Sequence, residues 1–417
     1  VAQVTQRDGA GDGIGIGIGG ECDVAVIGAG PAGAVAALAV LQSWPDARVR
    51  LLDRADFPRD KTCGDGLAAQ TLDVLAEVGE PTLLDDWPRV HRLRLGFPDG
   101  TGVARTMARP TLVVPREVLD ARLVEAVVKR GAVLSRHRVR QVRPEGSGAV
   151  VDGALRARVV IGADGAHSAV RAGLGLPAPR PGTTAIALRG YAPVPAARAQ
   201  EQVIAFAGHA AWPAYAWSFP VGDGRANVGY GEALPVDGPG PSRARMLARL
   251  EALLPGATDG VQGLKAHHLP LSTGRVRQPD GPVLLTGDAL GLVNPLTGEG
   301  IHAAMRSGAV AGGVAARVAR AGAGERAGSR YRRRLAAAMG AHLRHMDLVI
   351  RLSVDPRVVR AGLEVSAKDQ RVFDTLVELG LADGTLTPQL VFALIRRAGA
   401  GGLVETLRSV RRRDRQS

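Results

Sequence analysis

The apolar positions of this chain change period at a few marked places. Residues 22–27 (CDVAVI) are apolar apart from Asp23 and stop at Gly28, the pattern of a strand covered on both faces. AVAALAVLQSW then reads as a helix and ARVRLLD as a second strand ending at Asp53. A helix is expected near 68–79 and a break at EPTLLDDWPRV. Two short strands, HRLRLGF and GVARTM, flank the turn signal Pro98-Asp99-Gly100. In PREVLDARLVEAVVKRGA, the residues Val118, Leu119, Leu123, Ala126 and Val127 repeat at helical spacing. Strand-like VLSRHRVRQVRP, AVVDG and ARVVIGADG follow. From 180 to 275 short alternating runs broken by Pro and Gly (TTAIALRGYAPV, QVIAFAG, AYAWSFPVGDG, RANVGYGE) predict a mostly antiparallel sheet. GPVLLT restores a buried strand before a Gly-rich loop and a long helix, and 330–410 read as helical with a pause at DGTLTP.

The turn after the first strand carries chemistry. Gly28, Gly30 and Gly33, with Pro31 and Ala32 between them, have the G-x-G-x-x-G spacing that cradles a dinucleotide pyrophosphate at a helix N-terminus. Asp53 ends the second strand twenty residues after Gly33, where a carboxylate can bind a ribose hydroxyl; Arg54 beside it is also assigned to the cofactor. Asp288 ends the strand PVLLT at the sheet edge where such folds bind ligands, or else caps a helix. Pro295, Gly298 and Gly300 lie in the loop that opens a helix at Ile301, whose free N–H groups can stabilise an anion; Glu299 reads as a first-turn carboxylate. Asp164 ends another strand, with Ser168 and Arg171 one helical turn apart; Arg171 reads either as a partner of Asp164 or as a cofactor ligand. Tyr215, Trp217 and Phe219 alternate onto one strand face, as sheet core or as the wall of an apolar tunnel. His267 and His268 point to opposite faces, and no metal is expected.

These signals predict an α/β fold: a Rossmann-type domain with an inserted, mostly antiparallel β substrate domain and a helical C-terminal region. The expected division is a disordered leader over 1–20, a nucleotide domain from 21–90, 115–180 and 276–330, a β-rich domain from 91–114 and 181–275, and a helical region with a basic tail over 331–417.

Bulk properties narrow the partners. The 417 residues suggest two or three domains, and 46% apolar residues supply their cores. The formal charge of +13 is spread along the chain without a nucleic-acid module, so it fits an anionic membrane surface or a phosphate-bearing ligand better than nucleic acid. Arg411, Arg412 and Arg413 lie in the basic tail. Two cysteines, Cys22 and Cys63, argue for a reducing, cytoplasmic setting; the basic tail reads as a solvated end or as a peripheral anchor on the inner face of the cell membrane. Neither a spanning segment nor a signal peptide is expected.

CDVAVIGAGPAG, GADGAHSAVR, AWSFPVGDGRANVGYG and GDALGLVNPLTGEGIHAAM, in that order, resemble the geranylgeranyl reductase family of FAD-dependent oxidoreductases, within the p-hydroxybenzoate hydroxylase-like group. The likeness covers roughly 22–330. It implies FAD held by Asp288 at the ribitol or pyrophosphate, by Arg116 at the phosphates (or Arg116 is a surface charge), and by the 294–300 loop at the flavin pyrimidine. Asp164 would support the FAD cleft and the approach of NAD(P)H, unless a ferredoxin-like donor supplies electrons. The segment PRDKTCGDG places Cys63 near the flavin face, as proton donor or as a small wall of the pocket. The Y-x-W-x-F-P run with Gly229 and Gly231 resembles the prenyl reductase signature. The implied activity is reduction of an isolated carbon–carbon double bond in an isoprenoid lipid, of menaquinone or geranylgeranyl type, with a proton from Cys63, Tyr215 or ordered water. A flavin monooxygenase acting on a small apolar substrate is the rival reading, and an FAD-bound membrane-surface redox sensor a third. Oligomeric state is not readable.

Overall fold

The computed structural model describes residues 18–208, 214–273, 277–353 and 356–398. Most of the expected leader (1–17) and the basic tail with Arg411–Arg413 lie outside them. Ile18 is already buried and the first strand starts at Gly20. The fold is a mixed α/β fold with two sheets and a helical C-terminal region.

The first sheet has a parallel core. β6 (Val133–Arg136), β2 (Val49–Asp53), β1 (Gly20–Ile27) and β9 (Leu155–Gly162) run side by side, and β15 (Val283–Leu285) pairs with the C-terminal part of β9. The hairpin β7 (Val142–Glu145) and β8 (Gly148–Val151) covers the N-terminal part of β9 antiparallel. Both faces are covered, which is why β1 reads as a continuous apolar run. The expected strand over VLSRHRVRQVRP is broken at 137–141. Asp152, at φ 47°, accepts from the backbone N–H of Arg140 and Gln141 and meets His137, so side-chain bonds replace the ladder there.

The second sheet runs β14 (Gln262–Pro270), β10 (Thr184–Pro193), β13 (Arg225–Ala233), β12 (Ala214–Pro220), β11 (Glu201–Phe206), β4 (Arg89–Gly96), β5 (Gly102–Val113), β3 (Gly66–Leu67). Only β11 and β4 pair in parallel. β3 follows directly on the Cys63 segment, so that segment is anchored in this sheet. The all-strand reading of 180–275 missed a helix, α5 (Arg243–Leu253), which covers the sheet with Met246 and Leu250; these buried residues, four apart, were its signal.

Helices α1 (Pro31–Ser43), α2 (Ala69–Glu77), α3 (Arg116–Lys129), α4 (Ala169–Gly173), α6 (Gly287–Leu290) and α7 (Ile301–Arg320) surround the first sheet. α8 (Ala327–Leu352), α9 (Pro356–Ser366), α10 (Gln370–Leu381) and α11 (Pro388–Ala398) form the C-terminal region. α9 and α10 bury Leu363 and Phe373 against Leu93, Met107 and Ile204 of the second sheet. No helix among the described residues is long and apolar enough to cross a membrane.

α7 lies so close on α1 that side chains are excluded. A Cβ on Gly308 would stand 2.2 Å from the Ala32 carbonyl oxygen, and one on Gly312 2.2 Å from that of Ala36. Gly312→Ala is therefore expected to cost about 1–3 kcal/mol. Gly313→Ala, one residue on, meets nothing within 4 Å and should gain about 0.5–1 kcal/mol from helix propensity. Urea unfolding of both variants checks this; equal effects would contradict the close contact.

Candidate functional site

A cleft of about 1810 Å³, its open mouth included, lies where the two sheets meet. Gly30, Pro31 and Ala32 form one wall. Gly28 and Gly33 stand behind it and make the turn. Gly28 has φ 97° with Ala163 O 2.4 Å from where its Cβ would be, and a Cβ on Gly33 would meet Gly28 O at 1.8 Å. Asp53 is also behind the wall: its carboxylate accepts from Ala29 N at 2.8 Å and Ala55 N at 2.9 Å, bracing the glycine turn, while Arg54 points to solvent.

Gly30 caps α1 without any side-chain bond. A Cβ there would come 3.4 Å from Arg116 Nη2 and 3.6 Å from Arg59 Nη2. An uncapped helix N-terminus with two guanidinium groups beside it fits the pyrophosphate of FAD. Arg116 is no surface charge; it is 4% exposed and donates to both oxygens of Asp120 at 2.7 and 2.8 Å. Burial works against its charge, but Asp120 holds it ionised. Arg59, which the sequence reading missed, reaches Asp120 at 3.2 Å and Asp53 at 3.5 Å.

Across the cleft, Asp288 in the first turn of α6 faces Lys61 at 3.6 Å. Pro295, Gly298, Gly300 and Ile301 line the same side. Asn294 folds their loop by accepting from Leu296 N and Thr297 N. Glu299 accepts from His302 N at 2.7 Å, so one α7 N–H is already taken. Asp164 is set back from the cleft: it accepts from Ser168 Oγ and Val170 N, and burial raises its pKa. Arg171 does not meet Asp164; it donates to the carbonyls of Pro177 and Ala289 and ties α4 to α6.

Tyr215, Trp217 and Phe219 line the cleft in a row, with successive ring centroids 5.8 and 6.4 Å apart. The Tyr215 hydroxyl donates to Thr297 O, joining β12 to the loop. Gly229 lies under Trp217, whose ring would be 2.2 Å from a Cβ there, and Gly231 lines the cleft. Beyond Tyr215 is a second, apolar chamber of about 990 Å³, mouth included, walled by α8–α11 and by Leu93 and Leu95 of β4. The two spaces share Ile204, Phe206, Tyr215, Leu296, Thr297 and Leu381.

Cys63 lines the cleft, and its Sγ accepts from Asp65 N at 3.3 Å. Burial, and then the Asp65 charge, push its pKa up, so it stands as a thiol. The fold also brings in residues not singled out in the sequence. Asn227 donates to Cys63 O and to Asp65 Oδ2, both at 2.8 Å, and Arg189, 1% exposed, pairs with Asp60. Positive φ at Asp65 had no sequence signal beyond its position between two glycines. His267 lines the cleft and is kept neutral, its pKa lowered to about 4 by burial and by Lys61. Among the described residues no cluster of three metal-ligating side chains occurs.

The sequence matches the FAD binding domain family over residues 21–344. It is 36% identical over 318 residues to a menaquinone reductase of Mycolicibacterium smegmatis, covering 70% of this chain and 75% of that one. It is 33% identical over 316 residues to digeranylgeranylglycerophospholipid reductase 2 of Methanopyrus kandleri, covering 71% and 77%. Among solved structures, a geranylgeranyl bacteriochlorophyll reductase-like protein of Thermoplasma acidophilum superposes with TM-score 0.71 at 21% identity, covering 94% of this chain and 99% of that one. A flavin-dependent brominase superposes equally well, TM-score 0.71 at 16% identity over 95% and 100%, so the fold is shared across chemistries.

The Glu299 carboxyl is pushed up to about 7 from 4.5, chiefly by burial, with the His302 side opposing and Asp288 adding. The native state thus binds more protons than the unfolded chain between those values, and this residue's contribution to stability falls as pH rises through them. Glu299→Gln is expected to unfold at higher urea than the parent at about pH 8 and to lose that advantage near about pH 4.5. Parallel unfolding curves at both pH values check it; an advantage confined to acid pH would contradict the assignment.

Proposed function

This chain belongs to the FAD binding domain family, in its geranylgeranyl reductase branch, and on that footing we propose that it saturates carbon–carbon double bonds of an isoprenoid chain such as the side chain of a menaquinone or a geranylgeranyl lipid. The observation that carries this reading is the apolar chamber beyond Tyr215 and Leu296, which shares a wall with the cleft that holds Cys63. A chain seated there has its polar end toward the mouth and an internal alkene beside the flavin position.

Bound FAD supplies the hydride when reduced. Arg116, Arg59 and the α1 N-terminus would hold its pyrophosphate, and Asp288 its ribitol region. An isolated alkene has no carbonyl to stabilise developing charge, so the protein's part is orientation, exclusion of water and a positioned proton. Trp217 and Phe219 orient the chain. Cys63 holds the proton, its S–H kept intact by burial. Tyr215 is the weaker donor, because its own proton is committed to Thr297 O. NAD(P)H or a ferredoxin-like protein would supply the electrons. The lipid arrives from a membrane surface met by α11, where Phe392 is 62% exposed with the Arg396 guanidinium over its ring. Cys63 and the apolar chamber favour this reading over oxygenation of a small substrate.

Mass spectrometry of isoprenoid quinones and lipids with and without the gene tests the function. Products two mass units heavier per step are expected; a gain of sixteen would overturn it in favour of oxygenation. Asp288→Ala should lower FAD affinity about ten- to a hundredfold, the loss of a charge-assisted bond of about 1.5–3 kcal/mol, measured by flavin titration of the apoprotein. Unchanged affinity would remove Asp288 from the site. Phe392→Ser should weaken sedimentation with anionic liposomes, in a salt-sensitive manner; equal binding would move the contact elsewhere.

A further inference from the structure

Asp65 has three properties that a structural carboxylate does not need together. It is fully buried, at 0% exposure, yet lines the cleft. It holds φ 61°, a conformation that L-residues adopt at a cost and that Asp and Asn tolerate best. Both of its side-chain bonds, from the Tyr191 hydroxyl and from Asn227 Nδ2, go to Oδ2, while buried Oδ1 has no partner. An unpartnered buried carboxylate oxygen is expensive unless it carries a proton or meets a ligand. Its own backbone N–H meanwhile touches Cys63 Sγ.

We propose that Asp65 is the proton reservoir of the site, a positioning residue that keeps Cys63 in its thiol form and restores its proton, with Tyr191 as the way in from solvent. The inference rests on the reading of Cys63 as proton donor. When an alkene is saturated, one carbon receives the hydride that a reduced flavin supplies. The π pair forms a C–H bond to the proton of Cys63; S–H breaks and its pair stays on sulfur. No carboxyl oxygen of Asp65 bonds Sγ directly, so a water in the cleft relays the proton: the thiolate takes one from that water, whose O–H pair takes the proton of the Asp65 carboxyl, leaving the O–H pair of Asp65 on its oxygen. Asp65 regains a proton from water through the half-buried Tyr191 hydroxyl.

The surroundings suit a group that gains and loses a proton near neutrality. Burial raises the Asp65 carboxyl to about 6, against the bonds from Tyr191 and Asn227 and the charges of Arg189 and Arg116. Tyr191 is itself pushed above the usual range by burial and by Asp65, so it passes a proton on without resting as a phenolate. Arg189 is balanced by Asp60, which also holds Lys265; Arg116 is balanced by Asp120. Lys61 faces Asp288.

Asp65→Asn keeps the shape and the tolerated φ while removing the charge and the proton. The test is the pH profile of Cys63 alkylation by iodoacetamide in the FAD-loaded protein without substrate, read by peptide mass so that buried Cys22 does not interfere. The parent should titrate above an ordinary thiol (~8.5), and Asp65→Asn about one unit lower, alkylating about tenfold faster below its midpoint. With substrate, Asp65→Asn and Tyr191→Phe should each complete a first turnover and slow later ones about ten- to a hundredfold. An unchanged alkylation profile in Asp65→Asn, or full steady-state rate in both variants, overturns the proposal. If the substrate is not an isoprenoid, the alkylation shift still appears, so that result counts against the function while supporting the coupling of Asp65 to Cys63.

Discussion

The short segment from Asp60 to Leu67 leaves the nucleotide sheet and is bound almost wholly by the other one. Asp60 is held by Arg189 and Lys265, the carbonyl of Cys63 by Asn227, the carboxylate of Asp65 by Tyr191 and Asn227, and Gly66 and Leu67 pair with β5. These partners sit on β10, β13, β14 and β5, so the position of the thiol is set by the sheet that does not carry the glycine turn. Apart from Asp65 Oδ1 and Arg189 Nε, which have no partner, these buried polar groups are hydrogen-bonded, and such networks fix geometry more than they add stability. The cleft has its shape because this one segment is fastened on the far side.

The near side is fixed by close backbone approach. α7 presses its glycines onto the carbonyls of α1, and the glycine turn presses onto the end of β9. Both contacts place a helix N-terminus at the cleft: α1 with Gly30 beside two arginines, and α7 with Glu299 and the 294–300 loop. The C-terminal helices then close the apolar chamber over β4 and β11. A glycine turn flanked by two arginines, a protected thiol and an apolar chamber come from three different parts of the chain, and the bond from Tyr215 to Thr297 ties β12 to the 294–300 loop at the wall that cleft and chamber share.

What was legible in the sequence was what depends on neighbours along the chain. The Rossmann turn, the strand ends at Asp53, Asp164 and Asp288, and the alternation of Tyr215, Trp217 and Phe219 are all local patterns. What was not legible depends on the fold. Asp53 braces the turn because its carboxylate meets Ala29 across the strand ends, Arg171 binds Ala289 over a hundred residues away, and α5 was hidden by the Pro- and Gly-rich runs around it. Arg116 reads as a surface charge or a phosphate ligand until Asp120, one turn on, is seen buried with it. Tyr191 lies in no motif, and nothing in the motif AWSFPVGDGRANVGYG singles out Asn227; the register of β10 against β13, which pairs Tyr191 with Asn227, brings them together under Asp65.

In the proposed reaction the alkene itself, in an apolar chain beside Cys63, accepts the electrons. Anaerobic stopped-flow mixing of the photoreduced, FAD-loaded protein with a polyprenyl quinone or lipid measures that directly, through the return of oxidised flavin absorbance. Reoxidation without oxygen is expected, in step with formation of a product two mass units heavier. Flavin that stays reduced until oxygen is admitted would contradict it.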